Sequence, residues 1–121
     1  PRLGIRIQNV GAYPASVRDR LSLPEQGVAI IDVAPDGPAD RAGLRPAGMT
    51  LQMNGRSLPV PEDVIIAIDG TEIESADQLQ REVFSRDEGD TVTLTVLRDG
   101  EEVTVDVTLS VVPTDDGDEQ E

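Results

Sequence analysis

The chain has 121 residues, of which 37% are hydrophobic and 2% aromatic, and its formal net charge is −14. This length fits one compact domain with an aliphatic core. The acidity argues against nucleic acid and anionic membranes as partners, because both are bound through basic surfaces.

Arginine supplies all ten basic residues, and lysine is absent. Five carboxylates lie in the last seven positions, so the remaining residues still carry a net charge of −9. Repulsion of this size is costly in dilute salt and is screened in concentrated salt. The pattern predicts a protein from a halophile, with an ordinary acidic protein as the alternative.

The chain contains no cysteine, so it has no disulfide and no thiolate chemistry. No apolar run is long enough to span a bilayer, which predicts no membrane insertion by this chain. No signal peptide opens the chain and its first residue is not Met, so we interpret it as a piece of a longer protein. Its location stays open, with the cell envelope as one expectation.

The first stretch, Leu3-Gly4-Ile5-Arg6-Ile7, is typical of a strand with Leu3, Ile5 and Ile7 on one face. Gly4 interrupts it. A glycine here is explained by a bulge, or by a peptide carboxylate that approaches backbone N–H groups closely. Both interpretations stay open on these five residues.

Further elements follow in chain order. Proline and glycine delimit short helices over 14–21 and 38–44, and a β-branched run predicts a buried strand over 28–33. Alternating apolar residues around Asn54-Gly55 predict a hairpin over 49–60. A strand over 64–68 follows it.

Ser75 is a good N-cap for a helix over 75–86. Its predicted buried face contains Ala76, Leu79, Val83 and Phe84. The runs 91–97 and 103–109 alternate across Asp99-Gly100 and predict a second hairpin.

The fold class predicted is α+β and mainly β. It is a small, partly open antiparallel barrel or sandwich of five to seven strands, capped by two or three helices. The domain spans 1–112, and an acidic, disordered tail spans 113–121.

The order of these motifs resembles a PDZ domain, and in particular the PDZ domain of HtrA-type trypsin-like serine proteases. Site-2 and tail-specific proteases carry similar domains. The resemblance covers roughly residues 3–110 and departs from shorter members by the extra hairpin 49–60. The matching segments are 3–7, 27–33, 37–44, 63–70, 89–92 and 97–100.

The resemblance implies a regulatory module that captures C-terminal or exposed apolar peptide segments by β-strand addition, between strand 3–9 and helix 75–86. It places Leu3, Gly4 and Ile5 in the carboxylate-binding loop. Its own protease catalytic domain would be the second partner. The alternative is an assembly domain whose groove is filled intramolecularly. The implied peptide-binding residues are Leu3, Gly4, Ile5, Arg6, Ile7, Leu79, Gln80 and Val83.

Histidine is absent, so a Ser-His-Asp triad cannot form within this chain and we expect no enzyme activity from it. The run Asp115-Asp116-Gly117-Asp118 lacks the spacing of a calcium loop. Asp87, Glu88 and Asp90 are interpreted as a solvated cluster. No metal or other cofactor is expected.

Overall fold

A computed structural model describes residues 4–21, 23–24, 26–53, 55–98 and 100–109. The predictions for Leu3, for the Asn54 and Asp99 turn positions and for the tail 113–121 lie outside the described residues. The elements in chain order are β1 (Ile5–Asn9), a 3-10 turn (Val10–Ala12), α1 (Ala15–Leu21), β2 (Val28–Val33), α2 (Pro38–Ala42), β3 (Met49–Met53), β4 (Arg56–Val60), β5 (Asp63–Ile68), β6 (Thr71–Glu72), α3 (Ala76–Phe84), β7 (Thr91–Arg98) and β8 (Glu101–Thr108).

The main sheet has the order β1-β2-β5-β7-β8, with the short strand β6 paired to β5, and every pairing is antiparallel. Strands β3 and β4 form a separate hairpin. Helix α2 contacts the edge strand β8, and helix α3 contacts the opposite edge strand β1. The predicted mainly-β fold with an extra hairpin is confirmed.

Two apolar clusters lie on opposite faces of β2. Val28 and Ile30 belong to the main core, which also contains Ile65, Leu94 and other aliphatic residues of the sheet and of α3. The neighbouring Ala29 belongs to a second cluster with residues of α1 and the segments that flank it, of β2 and of the extra hairpin, namely Tyr13, Val17, Leu21, Leu23, Ile31, Leu51 and Leu58. The hairpin therefore covers a sheet face that would otherwise expose apolar surface.

Tyr13 fixes the hairpin to the domain. Its hydroxyl donates to the Pro59 carbonyl at 2.6 Å, across 46 positions of sequence. Burial raises the pKa of Tyr13, so the hydroxyl keeps its proton and remains a donor.

A bulge in β2 sets which side chains face the main core. Arg6 pairs with Asp32 and Ile7 with Ile30, which leaves Ile31 as an extra residue on β2. The extra residue turns Val33 toward the main core and Asp32 toward solvent, where Asp32 forms an ion pair with Arg6 at 3.1 Å.

Helix α3 confirms part of the prediction for 75–86 and corrects the rest. Ser75 is the N-cap, with its side chain accepting from the Gln78 N–H, and Leu79 and Val83 are buried. The helix ends at Phe84, and Phe84 is 65% exposed, so its predicted burial is wrong. Leu79 and Val83 are four residues apart on one stripe, whereas Phe84 is rotated off that stripe by about 100°.

Helix α2 stops at Ala42, two residues earlier than the predicted helix 38–44. Gly43 takes a left-handed conformation with φ of 92° and caps the helix.

The sequence analysis missed a buried carboxylate at the start of β5. Asp63 is 0% exposed and accepts from Arg98 Nε and Nη2, both at 2.7 Å, and from the Arg45 N–H at 3.0 Å. Arg98 also donates to the Gly43 carbonyl at 3.2 Å. The pair thus joins the end of α2, the loop before the hairpin, and strands β5 and β7.

Replacing Asp63 with Asn should lower the free energy of unfolding by about 2–4 kcal/mol, because Arg98 then loses its charged partner in a largely buried place. The matched control is Glu62→Gln. Glu62 is 46% exposed and lies 3.7 Å from Arg45, so its loss should cost at most about 0.5 kcal/mol. Urea unfolding of both variants measures the difference, and equal effects would contradict the structural role of Asp63.

Candidate functional site

The outer edge of β1 carries main-chain groups that point away from the sheet. The Ala34 N–H donates to the Gly4 carbonyl at 2.8 Å and the Val10 N–H donates to the Gly27 carbonyl at 3.1 Å, so Gly4 and Val10 face β2. Residues in an antiparallel pair alternate between facing the partner and facing away. Alternation counted from Gly4 and alternation counted from Val10 give the same result. The N–H and C=O groups of Ile5, Ile7 and Asn9 point away from β2. The bulge lies on β2 and does not interrupt this alternation.

That edge is the last one in the sheet. Among the described residues no strand pairs with it, and helix α3 is the element beside it. The side chains of Ile5 and Ile7 are partly buried and pack against the main core, whereas Arg6 is exposed on the other face. The predicted sharing of one face by Ile5 and Ile7 is therefore confirmed.

Gly4 is required by the fold itself. Its φ is +75°, a region that favours glycine, and a Cβ at this position would lie 3.2 Å from Pro38 Cδ. The first turn of α2 therefore packs directly on the Gly4 backbone. This packing gives Gly4 a structural role whether or not a ligand binds there.

Helix α3 lies beside β1 and contacts it. Its Leu79 and Val83 side chains are 1% and 5% exposed and belong to the same cluster as Ile5 and Ile7. Gln80 is exposed. The structure thus brings together Ile5, Ile7, Leu79 and Val83, and leaves Arg6 and Gln80 in solvent.

Polar contacts hold both ends of α3, and the sequence analysis missed them. At the start, Asn9 Oδ1 accepts from the Ala76 N–H at 2.6 Å, across 67 positions. After the end, Arg86 Nη2 contacts Asp69 Oδ2 at 2.9 Å, and Asp69 Oδ1 accepts from the Thr93 N–H at 2.8 Å. Asn and Asp are common acceptors for such N–H groups, but nothing local in the sequence identifies partners this distant.

Within the described ranges, no group of three or more carboxylate, histidine or cysteine side chains is placed to hold a metal ion. Asp87 and Asp90 belong to a turn in which the Asp90 carboxylate accepts from the Asp87 N–H at 2.9 Å. No helix in the described part of the chain is long and apolar enough to cross a membrane.

A family model for the PDZ domain matches residues 1–109. The chain belongs to the PDZ domain family. It is 33% identical over 91 residues to a protein of Chlamydia trachomatis named as a DegP-like periplasmic serine endoprotease, a match that covers 75% of this chain and 15% of that protein. A protein of Mesorhizobium japonicum named as a zinc metalloprotease is also 33% identical, over 87 residues, covering 72% of this chain and 19% of that protein. The PDZ domain therefore spans less than a fifth of either relative.

Two solved structures resemble this PDZ domain. The HtrA-type protease AlgW with a decapeptide has a TM-score of 0.68 and 26% identity, covering 93% of this chain and 29% of AlgW. The HtrA3 PDZ domain bound to the phage-derived ligand FGRWV has a TM-score of 0.64, covering 88% of this chain and 82% of that one. The second likeness, at 20% identity, shows the fold alone. The fold and the relation to HtrA and DegP PDZ domains are thereby shown.

Replacing Gly4 with Ala should lower the free energy of unfolding by about 1–2 kcal/mol, because the new residue is held at positive φ and its Cβ presses on Pro38. Gly11→Ala is the matched control, since a Cβ at Gly11 meets nothing within 4 Å and Gly11 has no positive φ. Thermal and urea unfolding test both. A Gly4→Ala variant as stable as the control would show that this loop tolerates a side chain.

Proposed function

We propose that this PDZ domain binds C-terminal or exposed apolar peptide segments by adding them as a strand to β1, in the groove between β1 and α3. The observation that carries the proposal is the outward direction of the Ile5, Ile7 and Asn9 main-chain groups, beside a helix. An added strand gains affinity from main-chain hydrogen bonds and specificity from side-chain pockets. The decapeptide and the pentapeptide in the two similar structures support a peptide as the ligand.

Within this proposal, Leu3, Gly4 and Ile5 form the loop that binds the terminal carboxylate. Ile5 supports this role because its N–H faces the open edge. Ile5, Ile7 and Val83, with Leu3, accept the last apolar side chain. Arg6 lies on the pairing strand, and Leu79 and Gln80 contact the ligand further along the groove.

The domain would act as a regulatory module of an HtrA-like serine protease. The DegP-like relative is several times longer than the matched segment, and this chain has no histidine for a catalytic triad. Catalysis would therefore reside in the rest of such a protein, whose catalytic domain is the second partner. The alternative host is a site-2 or tail-specific protease that carries a similar domain, and the relative named as a zinc metalloprotease supports a host other than an HtrA-like protease.

One observation favours a second candidate function, an assembly domain whose groove is filled by its own protein. The Leu79 and Val83 side chains are already almost fully buried by the chain itself. A ligand side chain would have to displace that packing. If residues of the same protein already fill the groove, no such displacement is needed. Titration with free peptides separates the two functions.

A peptide that ends in valine with a free carboxylate should bind at least about tenfold more tightly than its amide. A hydrogen bond to a charged group is worth roughly 1.5–3 kcal/mol, and the amide loses that charge. Isothermal titration measures both affinities. In NMR spectra the amides of Ile5, Ile7 and Asn9 should shift more than those of Arg6 and Gln8, which face β2.

Equal affinities for acid and amide would remove the carboxylate role and favour internal segments. Binding without the alternating pattern of amide shifts would place the ligand away from the β1 edge. An absence of binding by both peptides would support the intramolecularly filled groove.

We also propose that the protein works at high salt, as expected of a halophile. The support is the net charge of −14 together with the absence of lysine. The boundary at 112 and the disorder of 113–121 stay predictions.

The melting temperature should therefore rise with potassium chloride from about 0.1 M into the molar range, because screening of like charges continues to reduce repulsion. Calorimetry in potassium chloride and in an equal concentration of sucrose separates charge screening from general solute effects. A midpoint that stays flat across the salt series would contradict the halophile proposal.

A further inference from the structure

Asn9 connects the end of β1 to the start of α3. It is the last residue of β1, and its main-chain groups face the open edge. Its side-chain oxygen accepts the Ala76 N–H at 2.6 Å, and Ala76 is the first residue of α3. This N–H is one of those in the first turn of a helix, which have no acceptor within the helix itself.

The start of α3 has a second, purely local cap. The Ser75 side chain accepts from the Gln78 N–H at 3.2 Å, and the Gln78 side chain in turn accepts from the Glu74 N–H at 2.9 Å. The helix start is thus stabilised by contacts within 72–78, independently of Asn9. The Asn9 bond is therefore not the only cap of the helix. It adds a distance constraint between the helix and β1.

This constraint acts at one end of the groove. Helix α3 has nine residues and extends about 13 Å from Ala76. Strand β1 has five residues and extends about 17 Å. The other end of the helix is held by the contact of Arg86 with Asp69. Loss of the Asn9 bond would therefore free the start of α3 from the end of β1.

We propose that Asn9 is a positioning residue of the groove: its side chain holds α3 at the separation from the β1 edge that an added strand needs. This inference rests on the proposed peptide binding. A groove held in its binding geometry before the ligand arrives binds more tightly, because less ordering is left to the binding step.

The test compares three variants: Asn9→Ala, Asn9→Asp and Ser75→Ala. The probe is an N-terminally labelled pentapeptide of four alanines and a C-terminal valine, titrated in 0.5 M potassium chloride. Asn9→Ala should weaken binding about five- to tenfold, the value of one capping bond. Asn9→Asp keeps an acceptor at the helix start and should stay within about twofold of the wild type. Ser75→Ala removes a cap of the same kind without touching β1, and should also stay within about twofold.

Amide hydrogen exchange gives a second readout in the absence of peptide. The Ala76 amide should exchange faster in Asn9→Ala and stay protected in Asn9→Asp. Should Asn9→Ala fail to fold, Asn9→Gln carries the test, because its arm is one methylene longer and should weaken binding by displacing the helix start.

The outcomes separate this inference from the proposed function. If the wild type does not bind the probe at 1 mM, the proposed function fails and the inference with it. If the wild type binds and Asn9→Ala binds equally well, only the positioning role is overturned. The same conclusion follows if Asn9→Ala and Ser75→Ala lose affinity equally, since helix fraying would then explain both, or if Asn9→Gln replaces Asn9→Ala and binds like the wild type.

Discussion

Within the part of the chain that the structure describes, β2 is the only strand paired with β1, and a helix lies at each end of the open edge. An open strand edge is a template for unwanted pairing, which natural sheets limit by short strands and covering elements. Here the strand has five residues, the first turn of α2 packs on Gly4 at its start, and α3 is tied to Asn9 at its end. The edge between those two contacts keeps its outward donors and acceptors while its ends are covered.

Strand β2 is apolar on both of its faces. Aliphatic side chains fill the core, and alternate residues of β2 belong to apolar clusters on opposite faces of the sheet. Helix α1 and the extra hairpin cover the second face. The hairpin contributes Leu51 and Leu58 to the cluster there, and its Pro59 carbonyl accepts a hydrogen bond from the Tyr13 hydroxyl. The hairpin that departs from shorter PDZ domains thus has a packing role in this domain.

Local patterns were enough to predict β2, both hairpins and the Ser75 cap, since each depends on residues close in sequence. They could not predict partners across 35 or 67 positions, as for Asp63 with Arg98 or Asn9 with Ala76. The prediction placed Phe84 with Val83 on the buried face of α3, whereas the Phe84 side chain is exposed. The alternation of side chains along a strand could not reveal the bulge at Ile31. In the site, alternation identified the shared face of Ile5 and Ile7, but the near-complete burial of Val83 depends on how α3 packs.

The contacts that α3 makes affect the free energy of adding a strand to β1. Directional polar bonds hold both ends of the helix, while Leu79 and Val83 belong to the apolar cluster against which Ile5 and Ile7 pack. Main-chain pairing at Ile5 and Ile7 breaks no hydrogen bond to β2, so each new bond contributes its net value of about 1 kcal/mol. Insertion of a side chain beside Val83 instead competes with close packing that resists added volume. In the proposed mode of binding, main-chain pairing would therefore be the less costly step, and the packing around Val83 would limit the size of the side chain that follows.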